Sequence, residues 1–220
     1  MNDKFWDIFN RNMRTGVHRT MGATRSRDVR EFIGWLESRG KWRGGKALNI
    51  GIGDCQEALI LRMMDGVVTG ITNSQDEADN ARQLGIQAYC MDAHQMKFEN
   101  ESFDIIYMHD TMEHFISPIM VFTQFRRVLK PGGILGFHYP TMSQSHDWTH
   151  WFIESPRLMF DWLLKFGFKL LHFAFNPDES SEFLYIAEKV VISQDEYDRG
   201  ANVVHDMLRE LDDLYNTTDI

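Results

Sequence analysis

Apolar side chains recur every three or four positions in two segments near the start of the chain, residues 3–14 and 26–39. This spacing predicts two helices, because residues three and four apart share one helix face. Ser26 or Asp28 is the predicted start of the second helix, since both side chains can cap a helix N-terminus. A glycine-rich break at residues 40–45 then precedes a different pattern.

From residue 46 to about residue 192, short apolar runs alternate with amphipathic segments. This alternation with short connections predicts an α/β fold, a doubly wound parallel sheet with helices on both faces. The loop at 176–180 is too short for a helical crossover, so the last of seven strands is predicted to be antiparallel. The predicted strands are 46–50, 67–71, 86–90, 103–108, 133–138, 168–175 and 182–190, and the predicted helices are 54–64, 75–84, 117–129 and 155–166.

The segment after residue 192 reads as an acidic amphipathic helix. Ser193 and Glu196 have capping-box spacing, and an apolar stripe runs through residues 203–214. This stripe packs either on the same domain or on a second subunit, so a monomer and a homodimer both stay open. The predicted organisation is an N-terminal helical cap at 1–44, a main domain at 45–192 and this helix at 193–220.

Length and composition predict one cytoplasmic domain with no membrane association. The 220 residues are 43% hydrophobic, enough for a substantial core, and no apolar run approaches 18 residues. The first residues lack the basic-then-apolar order of a signal peptide. The two cysteines, Cys55 and Cys90, form no CxxC pair, which argues against a disulfide or a metal-thiolate site.

Charge is distributed unevenly along the chain. Residues 1–46 hold 11 of the 23 Lys and Arg residues but only 5 of the 32 Asp and Glu residues, so the remainder is strongly acidic. Nucleic-acid binders usually present a basic face, so a nucleic-acid partner is not expected for the main domain. The basic segment is interpreted first as a solvated helical face.

The segment Leu48-Asn49-Ile50-Gly51-Ile52-Gly53-Asp54 ends a hydrophobic strand with two alternating glycines and enters a predicted helix. Such a turn is where an α/β protein holds an anionic ligand against unpaired N–H groups, although it is also consistent with a simple tight turn. A dinucleotide site would have a third glycine where Gln56 stands. It would also have an acidic residue at the end of the second strand, which 70–74 lacks, so a nicotinamide or flavin cofactor is disfavoured.

Five segments together resemble motifs of the class I S-adenosylmethionine-dependent methyltransferases, especially the small-molecule enzymes related to ubiquinone-biosynthesis methyltransferases. The likeness covers roughly residues 44–190 and implies a Rossmann-like fold. Each segment is weak alone, but their order and spacing are hard to produce by chance. The segments are 49–55, Met91-Asp92-Ala93-His94-Gln95-Met96, Ser102-Phe103-Asp104-Ile105-Ile106-Tyr107, Met112-Glu113-His114-Phe115, and Arg127-Val128-Leu129-Lys130-Pro131-Gly132-Gly133.

The resemblance implies S-adenosyl-L-methionine as the cofactor and assigns residues to it. Asp92 would accept a hydrogen bond from the adenine amino group, and the ribose contact would come from Thr72, Asn73 or Ser74. Ser74 is equally well interpreted as the N-cap of helix 75–84. Asn49 replaces the usual acid and Cys55 the usual last glycine, which puts the recognition of the cofactor's amino group in question. The predicted cofactor-binding residues are Asn49, Gly51, Gly53, Thr72, Asn73, Asp92, Ala93 and His109.

Transfer to a hydroxyl or a protonated amine needs a base, and histidine is best suited near neutral pH. The predicted catalytic residues are His114, His138 and His150. The aromatic loop at 139–152 is the predicted acceptor pocket, or a lid over it.

Some members of the wider family carry E-x-x-E-H where this chain has Asp110-Thr111-Met112-Glu113-His114, and they bind a divalent cation with it. The resemblance therefore implies a possible Mg²⁺ or Mn²⁺ site at Asp110, Glu113 and His114, joined by His146 or His150. A segment of this type is also common in relatives that need no metal.

The predicted function is a methyltransferase that moves a methyl group to an oxygen or nitrogen of a small molecule. One alternative is a binding protein of the same fold that has lost catalysis, suggested by Asn49, Cys55 and Thr72. Another is a metal-assisted enzyme acting on RNA or protein, suggested by the basic N-terminal segment and the motif at 110–114.

Overall fold

Parallel strands at the centre of one sheet organise the molecule. A computed structural model describes residues 21–42, 44–140, 155–176 and 182–190, without the side chains of 21–26 and 176. The predicted helices at 3–14 and beyond 192, and the loop with His146 and His150, lie outside these residues. The strands are β1 Lys46–Ile50, β2 Val67–Thr72, β3 Gln87–Cys90, β4 Phe103–Met108, β5 Leu129–Pro140, β6 Phe168–Asn176 and β7 Glu182–Lys189.

The sheet has the order β3-β2-β1-β4-β5-β7-β6. β1 pairs in parallel with β2 on one side and with β4 on the other. β7 is antiparallel to both of its neighbours, β5 and β6. The predicted seven-stranded, mostly parallel sheet with an antiparallel last strand is therefore confirmed.

Helices cover both faces of the sheet, and the core is correspondingly split in two. One apolar cluster lies under the helices that precede β5 and β6, and the other lies under the helices near the start of the described chain. The helices are α1 Met21–Ser38, α2 Gln56–Met63, α3 Gln75–Gln83, α4 Pro118–Val128 and α5 Pro156–Lys165, with short 3₁₀ turns at Ala93–Gln95 and Met112–His114.

The helix α1 differs from its prediction. It is already helical at Met21, so neither Ser26 nor Asp28 starts it. Asp28 lies within the helix and is only 2% exposed. Its carboxylate contacts the ring of His109 and does not cap a helix end. A polar residue in a helical sequence thus marks a tertiary contact here and not a boundary.

The strand β5 begins four residues before its predicted start. Its first residue, Leu129, pairs with Phe103, and regular pairing with β4 resumes at Ile134 opposite Ile105. The Lys130-to-Gly133 turn therefore bulges out of the ladder, and Gly132 has the positive φ of 72° that such a turn needs. None of the helices in the described ranges is long and apolar enough to span a membrane.

Cys55 occupies the left-handed region with φ 70°, immediately before α2. The family's usual glycine adopts this conformation without strain, whereas a side chain there costs about 1–2 kcal/mol. Cys55 is fully buried, and this burial, with the charges of Asp54 and Glu57, raises the pKa of its thiol to about 12.

The α1 helix packs directly on the sheet through Phe32. Its ring is fully buried, stacks on Tyr107 at 4.7 Å, and occupies the space where a Cβ on Gly136 would stand. We expect Phe32→Ala to lower the free energy of unfolding by about 3–5 kcal/mol, as for other buried aromatic truncations. Chemical denaturation measures this, with Ile119→Ala, a site 55% exposed on α4, as the control. A loss below about 1 kcal/mol would mean that residues 1–44 form a cap independent of the sheet.

The two thiols should differ in reactivity. Cys90 is exposed, whereas the raised pKa of Cys55 leaves almost no thiolate near pH 8. We expect a disulfide reagent to label Cys90 within minutes and Cys55 only after unfolding. The Cys90→Ser variant is the control, and rapid labelling of that variant in its native state would contradict the burial of Cys55.

Candidate functional site

A cavity of about 860 Å³ lies at the carboxyl ends of β1, β2 and β3 and beside the loop after β4. The chain order of the sheet reverses between β1 and β4, so the connections on the two sides leave this edge in opposite directions and create a crevice between them. The lining residues are Ile50, Gly51, Gly53, Asp54, Ile71, Thr72, Asn73, Glu77, Met91, Asp92, Ala93, His94, His109, Asp110, Thr111, His114, Phe115 and Ile116.

The glycine turn after β1 is tight for a reason that the sequence does not reveal. Gly51 has φ 70°, and a Cβ on it would stand 2.3 Å from Oγ1 of Thr111. Thr111 donates its hydroxyl to the carbonyl of His109 at 2.8 Å and is held against β1. Only glycine at position 51 leaves space for the loop after β4 to pack against β1, whether or not a ligand also approaches this turn.

A carboxylate stands at the end of β2, although Thr72 occupies the position where the family usually has an acid. Glu77, in the first turn of α3, accepts a hydrogen bond from Oγ1 of Thr72 at 2.5 Å. The same Oγ1 accepts a bond from the backbone N–H of Ser74, so its only proton is already committed to Glu77. Ser74 is the N-cap of α3, with its Oγ accepting from the N–H of Glu77. Glu77 is thus the acidic group that the cavity has at this strand end.

Asp92, at the end of β3, is held by His94. The carboxylate accepts from the backbone N–H of His94 at 2.9 Å and lies 2.6 Å from Nδ1 of its ring. Nε2 of the same ring accepts from the N–H of Ser117, which assigns the ring proton to Nδ1. The backbone bond to His94 is the main reason that the pKa of Asp92 lies below its usual value. Asp92 is therefore an ionised, fixed acceptor at the cavity wall.

Four carboxyl groups line the large cavity: Asp54, Glu77, Asp92 and Asp110. No lysine or arginine is among the described residues that line it. A pyrophosphate would be repelled here, whereas a ligand with net positive charge would be stabilised. S-adenosylmethionine, with a sulfonium and an amino group against one carboxylate, fits this field.

Most of the predicted cofactor-binding residues lie together. Gly51, Gly53, Thr72, Asn73, Asp92, Ala93 and His109 all line the cavity. Asn49 does not line it: its side chain is buried and donates to the carbonyl of Tyr107 at 3.3 Å. Asn49, which stands where the family usually has an acidic residue, therefore connects β1 to β4 through this hydrogen bond.

The three predicted catalytic histidines are in different places. His114 lines the cavity and its side chain is 42% exposed. His138 is buried and lines a separate small cavity of about 90 Å³. His150 lies outside the described residues. Of the three, His114 is the one that the described structure places at the large cavity.

The predicted metal residues Asp110, Glu113 and His114 do not converge on one point. Nε2 of His114 lies 3.8 Å from the buried carboxylate of Glu113. Asp110, with a strained φ of 46°, instead places its carboxylate 3.2 Å from Nδ1 of His109. The convergence of metal-ligating groups found in the described residues involves a different set.

That set is a buried cluster of Asp28, His109, His138 and Glu182. Nε2 of His109 lies 3.1 Å from Asp28 and 3.4 Å from Glu182, and its ring stacks on that of His138. Burial alone would lower the pKa of His109, but the carboxylates of Asp110 and Asp28 outweigh it and raise that pKa to about 10. Burial and the neighbouring His109 lower the pKa of His138 to about 3. Burial and Asp110 raise the pKa of Glu182.

Sequence reasoning missed Glu77, Asp28 and Glu182 as site residues. The Ser74-to-Glu77 spacing is that of a capping box, which marks Glu77 as a local helix signal and conceals its contact with Thr72. Asp28 and Glu182 come from opposite ends of the described chain, and no local pattern connects them.

Comparison with known proteins relates the central part of the chain to a known domain. Residues 48–137 match the model of a family described as a methyltransferase domain. The sterol 24-C-methyltransferase of Clavispora lusitaniae is 30% identical over 99 residues, which cover 40% of this chain and 26% of that protein. The matched part is about a quarter of the length of this curated relative.

Two solved structures resemble the chain over most of its length. One is a protein of Thermotoga maritima described as a SAM-dependent methyltransferase and possible histamine N-methyltransferase. It has a TM-score of 0.62 and 19% identity, covering 84% of this chain and 96% of that one. The other is a SAM-dependent methyltransferase of Aquifex aeolicus, with a TM-score of 0.61 and 17% identity, covering 74% of this chain and 90% of that one.

At these identities the structures show the fold alone, and the family match adds the domain type. Neither comparison singles out the ubiquinone-biosynthesis-like subgroup, which stays a prediction. Residues 48–137 therefore match a methyltransferase domain, and the fold is that of solved S-adenosylmethionine-dependent methyltransferases, as the motifs predicted.

Proposed function

We propose that the chain transfers the methyl group of S-adenosylmethionine to an oxygen or nitrogen of a small molecule. The observation that carries the proposal is the acidic cavity at the carboxyl ends of β1, β2 and β3, with Asp92 and Glu77 at the ends of β3 and β2. S-adenosylmethionine, when bound there, brings a methyl group on a positively charged sulfur that is already activated for transfer. The protein then contributes mainly alignment and the exclusion of water.

In this proposal the carboxylates hold the cofactor by different contacts. Asp92, fixed by His94, accepts from the adenine amino group. Glu77 accepts from the ribose hydroxyls, because the proton of Thr72 is already used and the carboxylate has remaining acceptor positions. Asp54 lines the cavity at the glycine turn and takes over the recognition of the amino group, which Asn49 cannot reach.

The acceptor enters in this proposal beside His114. The neighbouring lining residues Phe115 and Ile116 are apolar, and Ile116 is 80% exposed, which suits a small molecule with an apolar part. His114 takes the proton that an acceptor hydroxyl or protonated amine loses on methylation. The matched relative in Clavispora lusitaniae is named for transfer to a sterol carbon, so a carbon acceptor is the alternative.

The proposal is tested first by catalysis. Purified protein with S-adenosylmethionine is screened against phenols, amines, sugars, sterols and nucleotides, and release of S-adenosylhomocysteine is measured. Turnover with an oxygen or nitrogen acceptor supports the proposal. Cofactor binding without turnover on any acceptor would favour a binding protein of the same fold, and methylation of a sterol carbon would replace the acceptor assignment.

Glu77→Gln should weaken S-adenosylmethionine binding by at least about tenfold, because hydrogen bonds to a charged group contribute ~1.5–3 kcal/mol. Calorimetric titration of the cofactor measures the loss. Asp76→Asn removes an exposed charge from the same first turn of α3 and is the matched control. Equal affinity of the Glu77→Gln variant and the unmodified protein would remove Glu77 from the cofactor site.

His114→Asn should lower kcat by about 10²–10⁴-fold while leaving cofactor affinity near its normal value, since a base acts in the chemical step. A single-turnover assay at saturating acceptor separates the two quantities. His172→Gln, a histidine on β6 stacked against Trp35, is the control. An unchanged kcat in the His114→Asn variant would exclude this residue as the base.

A further inference from the structure

We infer that Asp28, His109, His138 and Glu182 form a binding site for one divalent transition-metal ion such as Zn²⁺, Mn²⁺ or Fe²⁺. Each of the four residues offers one ligand atom, and all four atoms lie within 4.8 Å of one another. This site is distinct from the predicted set at Asp110, Glu113 and His114, and it does not depend on the proposed methyl transfer.

The fold brings the four groups together from four separate elements. His109 directly follows β4, whose last residue Met108 pairs with Phe137, so His138 on β5 stands next to it. Glu182 pairs with Pro140, two residues beyond His138, which places it on the same face of the sheet. Asp28 is one helical turn before Phe32, whose ring lies over Gly136 of β5.

The distances are close to those of a metal site. Nε2 of His109 is 3.1 Å from Oδ2 of Asp28 and 3.4 Å from Oε2 of Glu182, and Nδ1 of His138 is 3.9 Å from the same Oε2. Ligand atoms about 2.1 Å from a tetrahedral ion lie about 3.4 Å apart. Small rotations of the side chains therefore suffice to close the site.

Buried polar atoms of the cluster that lack a hydrogen-bond partner among the described residues include Oε2 of Glu182, which faces both histidine rings, and Nε2 of His138. A polar atom without a partner at such a depth loses the free energy of its hydration. The ring of His138 borders a cavity of about 90 Å³ that Asp28 and Glu182 also line, and this volume is adequate for an ion with a water molecule.

Charge balance supports the same conclusion. Two carboxylates, of Asp28 and Glu182, are buried together, with side chains 3% and 7% exposed. A divalent cation with two neutral imidazoles compensates both carboxylates, and it does so in competition with the protonation of Glu182 that burial and Asp110 favour. Mixed imidazole and carboxylate ligands favour transition metals over Mg²⁺. Four protein ligands are typical of a structural site, so this ion ties α1 to the ends of β4, β5 and β7.

The test begins with the full-length protein purified without chelators. Its metal content is measured by mass spectrometry, and after chelation the protein is titrated with Zn²⁺, Mn²⁺ and Mg²⁺ while thermal unfolding is followed. We expect close to one bound transition-metal ion per chain, a Tm that falls by several degrees on chelation, and recovery with Zn²⁺ or Mn²⁺ but not with Mg²⁺ at the same concentration.

Two ligand variants locate the ion. Asp28→Asn and His138→Gln should each weaken Zn²⁺ binding by more than the roughly 10–100-fold that the loss of a supporting residue costs. The matched controls are Glu37→Gln, an exposed acid on the same helix, and His172→Gln, a histidine on β6 outside the cluster. Far-ultraviolet circular dichroism verifies that each variant is folded.

Three outcomes would overturn the site. One is a folded native protein that contains no transition metal and whose Tm does not respond to Zn²⁺ or Mn²⁺. Another is normal Zn²⁺ affinity in folded His138→Gln protein. The third is an equal loss of affinity in the His172→Gln control, which would indicate adventitious binding to surface histidines.

Discussion

Parallel pairing of β1 with β2 on one side and β4 on the other is the constraint on which the site depends. Each parallel connection must cross over the sheet, and the crossovers from β1 to β2 and from β3 to β4 leave the central edge in opposite directions. The crossovers therefore leave a crevice at the carboxyl ends of β1 and β4, where side chains from several strand ends meet. Gly51 and Thr111 then set how closely the loops after β1 and β4 approach, since a Cβ on Gly51 has no space beside the threonine hydroxyl.

The charge of this edge determines which ligand the fold can accept. Helix N-termini and glycine turns attract anions in many α/β proteins. Here the four carboxyl groups of the cavity oppose that tendency, and Asp92 is held ionised by its bond to the N–H of His94. The backbone geometry that would suit a phosphate is thus combined with side chains that suit a cation. A sulfonium cofactor with a carboxylate of its own uses both features.

The order of the strands and helices could be predicted from the sequence because it rests on local signals. The alternation of apolar runs and amphipathic segments predicted every described strand. The motifs at the strand ends correctly placed Gly51, Asp92 and His114 at the cavity. Contacts between distant segments gave no such signal. With Thr72 at the end of β2, the sequence suggested that this strand end has no acidic group. In the structure Glu77, from the following helix, accepts a hydrogen bond from the Thr72 hydroxyl and supplies a carboxylate there. The local sequence predicted Asp28 as a helix cap, whereas in the structure it contacts His109, which is 81 residues away along the chain.

His109 links the two acidic cavities, because it lines the large one and contacts two carboxylates that line the small one. The large cavity is open, so water and a cationic ligand can stabilise its carboxylates. The carboxyl groups of Asp28 and Glu182 that line the small one are almost fully buried, so each must be protonated or paired with a counter-charge in direct contact. An ion bound to the cluster would therefore also fix the ring of His109, which lines the large cavity. The fold thereby connects α1, which lies before the family's matched residues, to the site at which the cofactor is proposed to bind.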